Sequence, residues 1–159
     1  MLIVASLVLP GAACSSVYHK AAANLPPDHH ERLALRVREA REAGADAQRT
    51  IEAVTLESRA GGAGALSPQA RSSVQSSRIE LERRTASIRD VASRVAPQPR
   101  TERVIASFDR AVQALAAAGE ELRTNPAWND ALDDARLAIS GALSAADGFL
   151  AGHASSPAE

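Results

Sequence analysis

The sequence predicts an all-α protein: an antiparallel four-helix bundle, or long helical hairpins with coiled-coil-like seams that complete their core by oligomerising. Three observations lead there. Apolar or small residues recur in alternating steps of four and three through four segments, the rhythm of helices packed along a seam. Proline, glycine and capping residues punctuate the chain between those segments. No stretch alternates apolar and polar residues for long enough to make a strand.

The first segment opens at PPDHHE, where Asp28 is placed as the N-cap and Glu31 completes a capping-box pattern. Its seam reads Leu33, Val37, Ala40, Gly44, Ala47, Ile51, Val54. The middle of that seam is small, so a partner helix can approach closely there. Gly44 costs the helix about 1 kcal/mol relative to alanine, a cost that close packing would offset. The stretch RAGGAGAL, residues 59–66, reads as a flexible connection, and Ser67-Pro68 restarts the chain as N-cap and first helical residue. In the second segment Val74, Leu81, Ile88 and Val95 recur every seven residues, with Val91 and Ala92 on the same side. Pro97 and Pro99 are expected to end it. The third runs from about Thr101 to Arg123 on Val104, Phe108, Ala111, Leu115, Ala118 and Leu122. Asn125-Pro126 repeats the cap-then-proline restart. The fourth seam is Trp128, Leu132, Ala135, Ile139, Ala142, Ala146, Phe149, with Trp128 as a core anchor. The helical domain is therefore expected over 28–151 and a frayed tail over 152–159.

Composition sets the character of the core. Hydrophobic residues make up 45% of the 159, yet aromatic residues only 3%. Alanine supplies much of the remainder, and a buried methyl stabilises far less than a buried leucine or phenylalanine. The net charge of -1 provides no overall field to draw the chain onto nucleic acid. Basic residues are almost all arginine, with Lys20 the only lysine. From Ser67 through Pro97 six arginines face three acids, whereas from Ala111 onward two arginines face seven. Two readings follow. Neighbouring helices compensate one another's charge, or Arg71, Arg78, Arg83, Arg84, Arg89 and Arg94 form a face for an anionic lipid or cell-wall polymer.

The single cysteine excludes an intramolecular disulfide and any zinc site built from several cysteines. Its position carries more weight. Leu2 to Leu9 reads LIVASLVL, too short to span a bilayer, which takes about 20 residues, and of the length of a secretory signal core. Pro10 and Gly11 break it, and Ala12-Ala13-Cys14 follows. This resembles the lipobox of bacterial lipoproteins, in which cleavage before a cysteine leaves it N-terminal and acylated. Ser15 and Ser16 resemble the sorting context of outer-membrane lipoproteins. Gly11 stands where a lipobox has a large aliphatic residue, and no basic residue precedes the apolar run, so an upstream start codon is expected. The expected organisation is a signal peptide over 1–13, lipidation at Cys14 and a tether over 14–27. That places the protein at the outer membrane, on its periplasmic face, with an envelope protein or a second copy as partner. The alternative is a cytosolic helical protein that retains its N-terminus.

From Cys14 the chain reads CSSVYHKAAANLPPDHHERLALRVREAREAGADAQRT. It resembles a domain-of-unknown-function family of helical lipoproteins from Gram-negative bacteria, whose mature ends begin CSS-V/A-Y-Y and continue into a helix of the kind R-V-x-x-A-R-x-A/S-Q. Val17, Tyr18, Arg36, Val37, Ala40, Arg41, Ala47 and Gln48 match its pattern, and the closing LAISGALSAADGFLA is similar to its final helix. The middle is shorter than the family's and richer in Gly, Ser and Pro. The resemblance implies a helical fold and an envelope address, and it supplies no catalytic residue.

The residues themselves suggest no reaction. Histidines stand at 19, 29, 30 and 153. His29 and His30 are adjacent, so on a helix they diverge by about 100° and chelate poorly. The GGAG stretch lacks the Lys-Ser/Thr of a phosphate loop. Glu120-Glu121 and Asp133-Asp134 are sequence neighbours that a helix points apart. We therefore expect no enzyme, no metal and no cofactor, but a structural or adaptor component.

Overall fold

A computed structural model describes residues 27–61, 67–124 and 128–154. The signal and lipobox readings, Cys14, the tether up to residue 26, Asn125-Pro126 and residues 155–159 lie outside the described residues. Four α-helices account for nearly all that is described: α1 (Pro27–Gly61), α2 (Pro68–Ala92), α3 (Pro99–Thr124) and α4 (Trp128–Ala154).

Each helix packs on its neighbours in sequence, and α4 closes the ring against α1. The lateral contacts run antiparallel. Arg84 of α2 reaches Glu39 of α1, while Ser77, earlier in α2, meets Thr50, later in α1. The assembly is a closed up-down bundle within one chain, so the hairpin form is not needed to complete the core. The core is the four seams brought together. Every residue of the α1, α3 and α4 seams is buried, except Trp128, which packs on the core from its edge. Val74, Leu81, Ile88 and Val95 are buried on the α2 side.

At the small stretch of α1, side chains of α3 and α4 come close to its backbone. A methyl built at Gly44 would stand 3.0 Å from Leu143 Cδ2 and 3.6 Å from Phe108 Cε1. Glycine thus suits a close approach, since a side chain here would need Leu143 of α4 to give by a few tenths of an ångström, while Phe108 of α3 stands at ordinary contact distance. Phe108 is fully buried and fills the space that Ala40, Gly44 and Ala47 leave.

Helix ends depart from expectation in five places. The first helix starts at Pro27, so Asp28 falls inside its first turn and does not precede it. Its far end continues to Gly61, taking in the first part of the expected connection. The second helix stops at Ala92, five residues before Pro97. Proline disfavours helical backbone at the residue before it and has no N–H to donate. The chain accordingly leaves the helix through turn bonds from Ser93 to the Arg89 carbonyl and from Arg94 and Val95 to the Val91 and Ala92 carbonyls. Val95 is buried beyond the helix end, as a plug under the bundle. Pro99, expected to terminate α2, instead opens α3. The expected tail over 152–159 is helical as far as Ala154, where His153 stacks on Phe149 with ring centroids 6.3 Å apart.

Ser67 caps α2 as expected. Its hydroxyl accepts a hydrogen bond from the Ala70 N–H at 3.1 Å, and Pro68 takes the first helical position. The Ser67 N–H in turn donates to Glu57 Oε1 at 2.9 Å, which fastens the start of α2 to the last turns of α1. That bond holds the Glu57 carboxyl below its usual range.

Candidate functional site

The six arginines of α2 and the turn after it do not form one face. Steps of seven and eleven residues are close to whole helical turns, so Arg71, Arg78 and Arg89 share the flank toward α3. Arg84 lies on the opposite flank toward α1, and Arg83 and Arg94 point away from the core. Nor are they open to an added anion. Arg83 and Arg84 both donate to Glu80, whose pKa is lowered to about 2 by those two hydrogen bonds. Arg84 also bridges to Glu39 at 3.0 Å, and Glu39 accepts from Arg36 at 2.8 Å. The Arg36 bond is the main reason the Glu39 carboxyl also sits below its usual range. Arg78 pairs with Glu82, Arg89 with both carboxylate oxygens of Asp109 on α3 at 2.6 Å, and Arg94 with Asp90. Arg71 and Arg78 line a cleft of about 550 Å³ between α2 and α3, where Glu120 contributes a carboxylate. The charge excess counted along the chain is therefore largely taken up by pairing.

A different arginine cluster stands on α3. Arg100, Arg103 and Arg110 fall on one flank with Ser107, while Glu102 and Asp109 fall on the other. A cleft of about 480 Å³ runs between that flank and α4. Its far wall consists of Gly141, Ser144, Ala145, Gly148 and Gly152, with Phe149 beside them, and no carboxylate among the described residues lines it. Neither Arg100 nor Arg103 has a hydrogen-bond or ion-pair partner among the described residues, and Arg110 donates only to Ser107 Oγ at 3.3 Å. A side-chain carbon at Gly141 or Gly148 would meet nothing within 4 Å, so the wall is open to the α4 backbone. At Gly152 an added carbon would run into Arg100 Nη1, so glycine there lets the guanidinium lie against the last turns of α4. The cleft continues into a second hollow of about 200 Å³ lined by His30, Gln98, Arg100 and His153.

The cluster was missed by counting charge in blocks, because Glu102 and Asp109 leave residues 98–110 nearly neutral in sequence. Helical phase was the available signal: steps of three and seven residues place the three arginines together and both acids apart from them.

The seams differ in the same way. An ion pair joins α1 to α2 (Glu39 and Arg84), α1 to α4 (Arg41 and Asp147) and α2 to α3 (Asp109 and Arg89). Among the described residues none joins α3 to α4, whose outer margin is the arginine cleft. Among these residues there is also no group of three or more His, Cys, Asp or Glu placed to hold a metal ion, and no helix long and apolar enough to cross a membrane. The exposed large hydrophobics Leu35, Leu56, Ile79 and Leu137 are spread over α1, α2 and α4. Comparison with known proteins finds no matching family model, no similar curated protein and no similar solved structure.

Proposed function

We propose that this chain is a lipid-anchored, non-catalytic adaptor of the cell envelope. Cys14 is its acylation site, and the helical bundle is the part that meets an envelope protein. The observation that carries the reading is sequence order: LIVASLVL, a break at Pro10-Gly11, then Ala12-Ala13-Cys14, with a folded bundle beginning at Pro27. Thirteen residues reach at most roughly 45 Å when fully extended, so an anchored Cys14 would keep the bundle close to the membrane surface. The residues of the bundle suit a scaffold. Its interior is filled by apolar seams, and both wider clefts open along its side, where water has access.

The test is intact-mass analysis and membrane fractionation of natively expressed protein beside Cys14→Ala. Wild type at the membrane with an acylated Cys14 at its N-terminus, and the variant released, supports the anchor. Crosslinking of the anchored form should then recover an envelope protein. If both forms are soluble and retain residues 1–13, the anchor is wrong and the chain is a cytosolic helical protein.

A further inference from the structure

We propose that the α3/α4 cleft binds a phosphate-bearing anion through Arg100, Arg103 and Arg110. Four features of the cleft argue for it together. Three guanidinium groups stand along about 15 Å of one helix flank, ten residues at about 1.5 Å each, which suits a ligand carrying more than one negative charge. Two of the three have no partner among the described residues, whereas Arg78, Arg83, Arg84, Arg89 and Arg94 are each held by an acid. Among the described residues no carboxylate lines the cleft to repel an anion or to compete for the arginines. The opposite wall is built of glycine, serine and alanine, so a tetrahedral phosphate can come close to the α4 backbone without meeting a long side chain.

Guanidinium offers its N–H groups as a planar fork that matches a phosphate or carboxylate edge. Ser107 and Ser144 add hydroxyls on the two walls, and Ser107 already accepts from Arg110. The chemistry allows two sources, the headgroup of an anionic phospholipid or a soluble oligophosphate. The inference does not depend on the membrane anchor; only the choice between those sources touches it. The anchor's failure in fractionation would leave the cleft standing.

The experiment uses the full chain carrying Cys14→Ala, so that binding to vesicles does not report an acyl chain. Inorganic tripolyphosphate is titrated by calorimetry, and vesicles of phosphatidylglycerol with phosphatidylcholine are compared with phosphatidylcholine alone. Removing two charge-assisted contacts, Arg100→Ala with Arg103→Ala, is expected to weaken tripolyphosphate binding roughly 100-fold. The control pair Arg38→Ala with Arg59→Ala changes net charge equally but lies off the cleft, and should shift binding less than about twofold. Gly148→Leu should weaken binding as well, with no change of charge, by filling the open wall. Retention on phosphatidylglycerol vesicles, displaced by tripolyphosphate and lost in the Arg100/Arg103 pair, assigns the lipid source. Tripolyphosphate binding without vesicle retention assigns the soluble one. Equal losses in the two arginine pairs would reduce the effect to net charge and overturn the proposal, as would absence of tripolyphosphate binding to the parent chain.

Discussion

The α2 surface and the α3/α4 cleft use the same residue in opposite ways. Along α2, arginines hold helices together: Arg84 spans to α1 and Arg89 to α3, Arg78 and Arg83 fold back on acids of their own helix, and Arg94, just past its end, reaches back to Asp90. On the outer flank of α3, Arg100 and Arg103 hold nothing among the described residues. The difference teaches that an excess of arginine in sequence says little about where positive potential emerges. What decides is whether a carboxylate lies three or four residues away on the same flank, or across the seam. The α3/α4 pair, with no ion pair among the described residues, relies on packing alone, and this leaves its arginines unengaged.

That contrast can be broken first at the packing. Phe108→Ala removes a fully buried ring that, with Leu143 of α4, packs over Gly44 of α1. A loss of about 3–5 kcal/mol is expected in denaturant unfolding, little changed by salt. A loss under about 1 kcal/mol would mean that the α3/α4 seam is held by something other than its apolar contacts.

Charge effects should be smaller and unequal. Arg84→Ala breaks a bridge whose side chains are only 29% and 26% exposed, and should cost up to about 1 kcal/mol, less in high salt. Arg100→Ala with Arg103→Ala removes no partner and should leave stability within about 0.5 kcal/mol. If the two variants are equally destabilised, the division between holding and unengaged arginines fails.

The smallest and most selective effect is in acid. Glu80 binds its proton at about 2 in the folded chain, against about 4.3 in an unfolded one. The unfolded state therefore takes up protons first as pH falls, and this contribution, fully present above about pH 4.5, fades as pH drops toward 2. Glu39 and Glu57 shift in the same direction. Glu80→Gln should flatten the decline of melting temperature with falling pH over that window. A slope identical to that of the parent chain would show that Arg83 and Arg84 do not hold this carboxylate in solution.

How much of this was legible in the sequence follows from what each signal depends on. The seams were readable because burial repeats with the helix itself: the positions chosen on α1, α3 and α4 by the four-three rhythm are the ones that face inward. The close approach at Gly44 was also readable, from three small residues in a row on one seam. Helix ends were less so. Val95 continued the heptad rhythm yet sits past the helix, because the seven-residue spacing cannot distinguish another helical turn from a bend that returns to the same side. Gly61 and Gly152 read as breaks, although glycine near a helix end costs little and both remain helical. The candidate cleft was hidden because it needs two helices at once: α3 supplies the arginines, while α4 contributes by having almost no side chain along the facing strip.

An even number of antiparallel helices brings the start of α1 and the end of α4 to one end of the bundle, where His30 and His153 line the same hollow. This has a mechanical consequence. A pull between those two ends would not shear helices past one another against every seam contact at once. It would peel α1 from α4 like a zipper, loading one turn at a time, with Arg41 and Asp147 among the first ties to part and the tight contact at Gly44 the next. Attached at one end only, with the other left free, the bundle carries no tension across its seams and stays closed. The same domain is thus compliant to a load across its ends and rigid as a single-ended post.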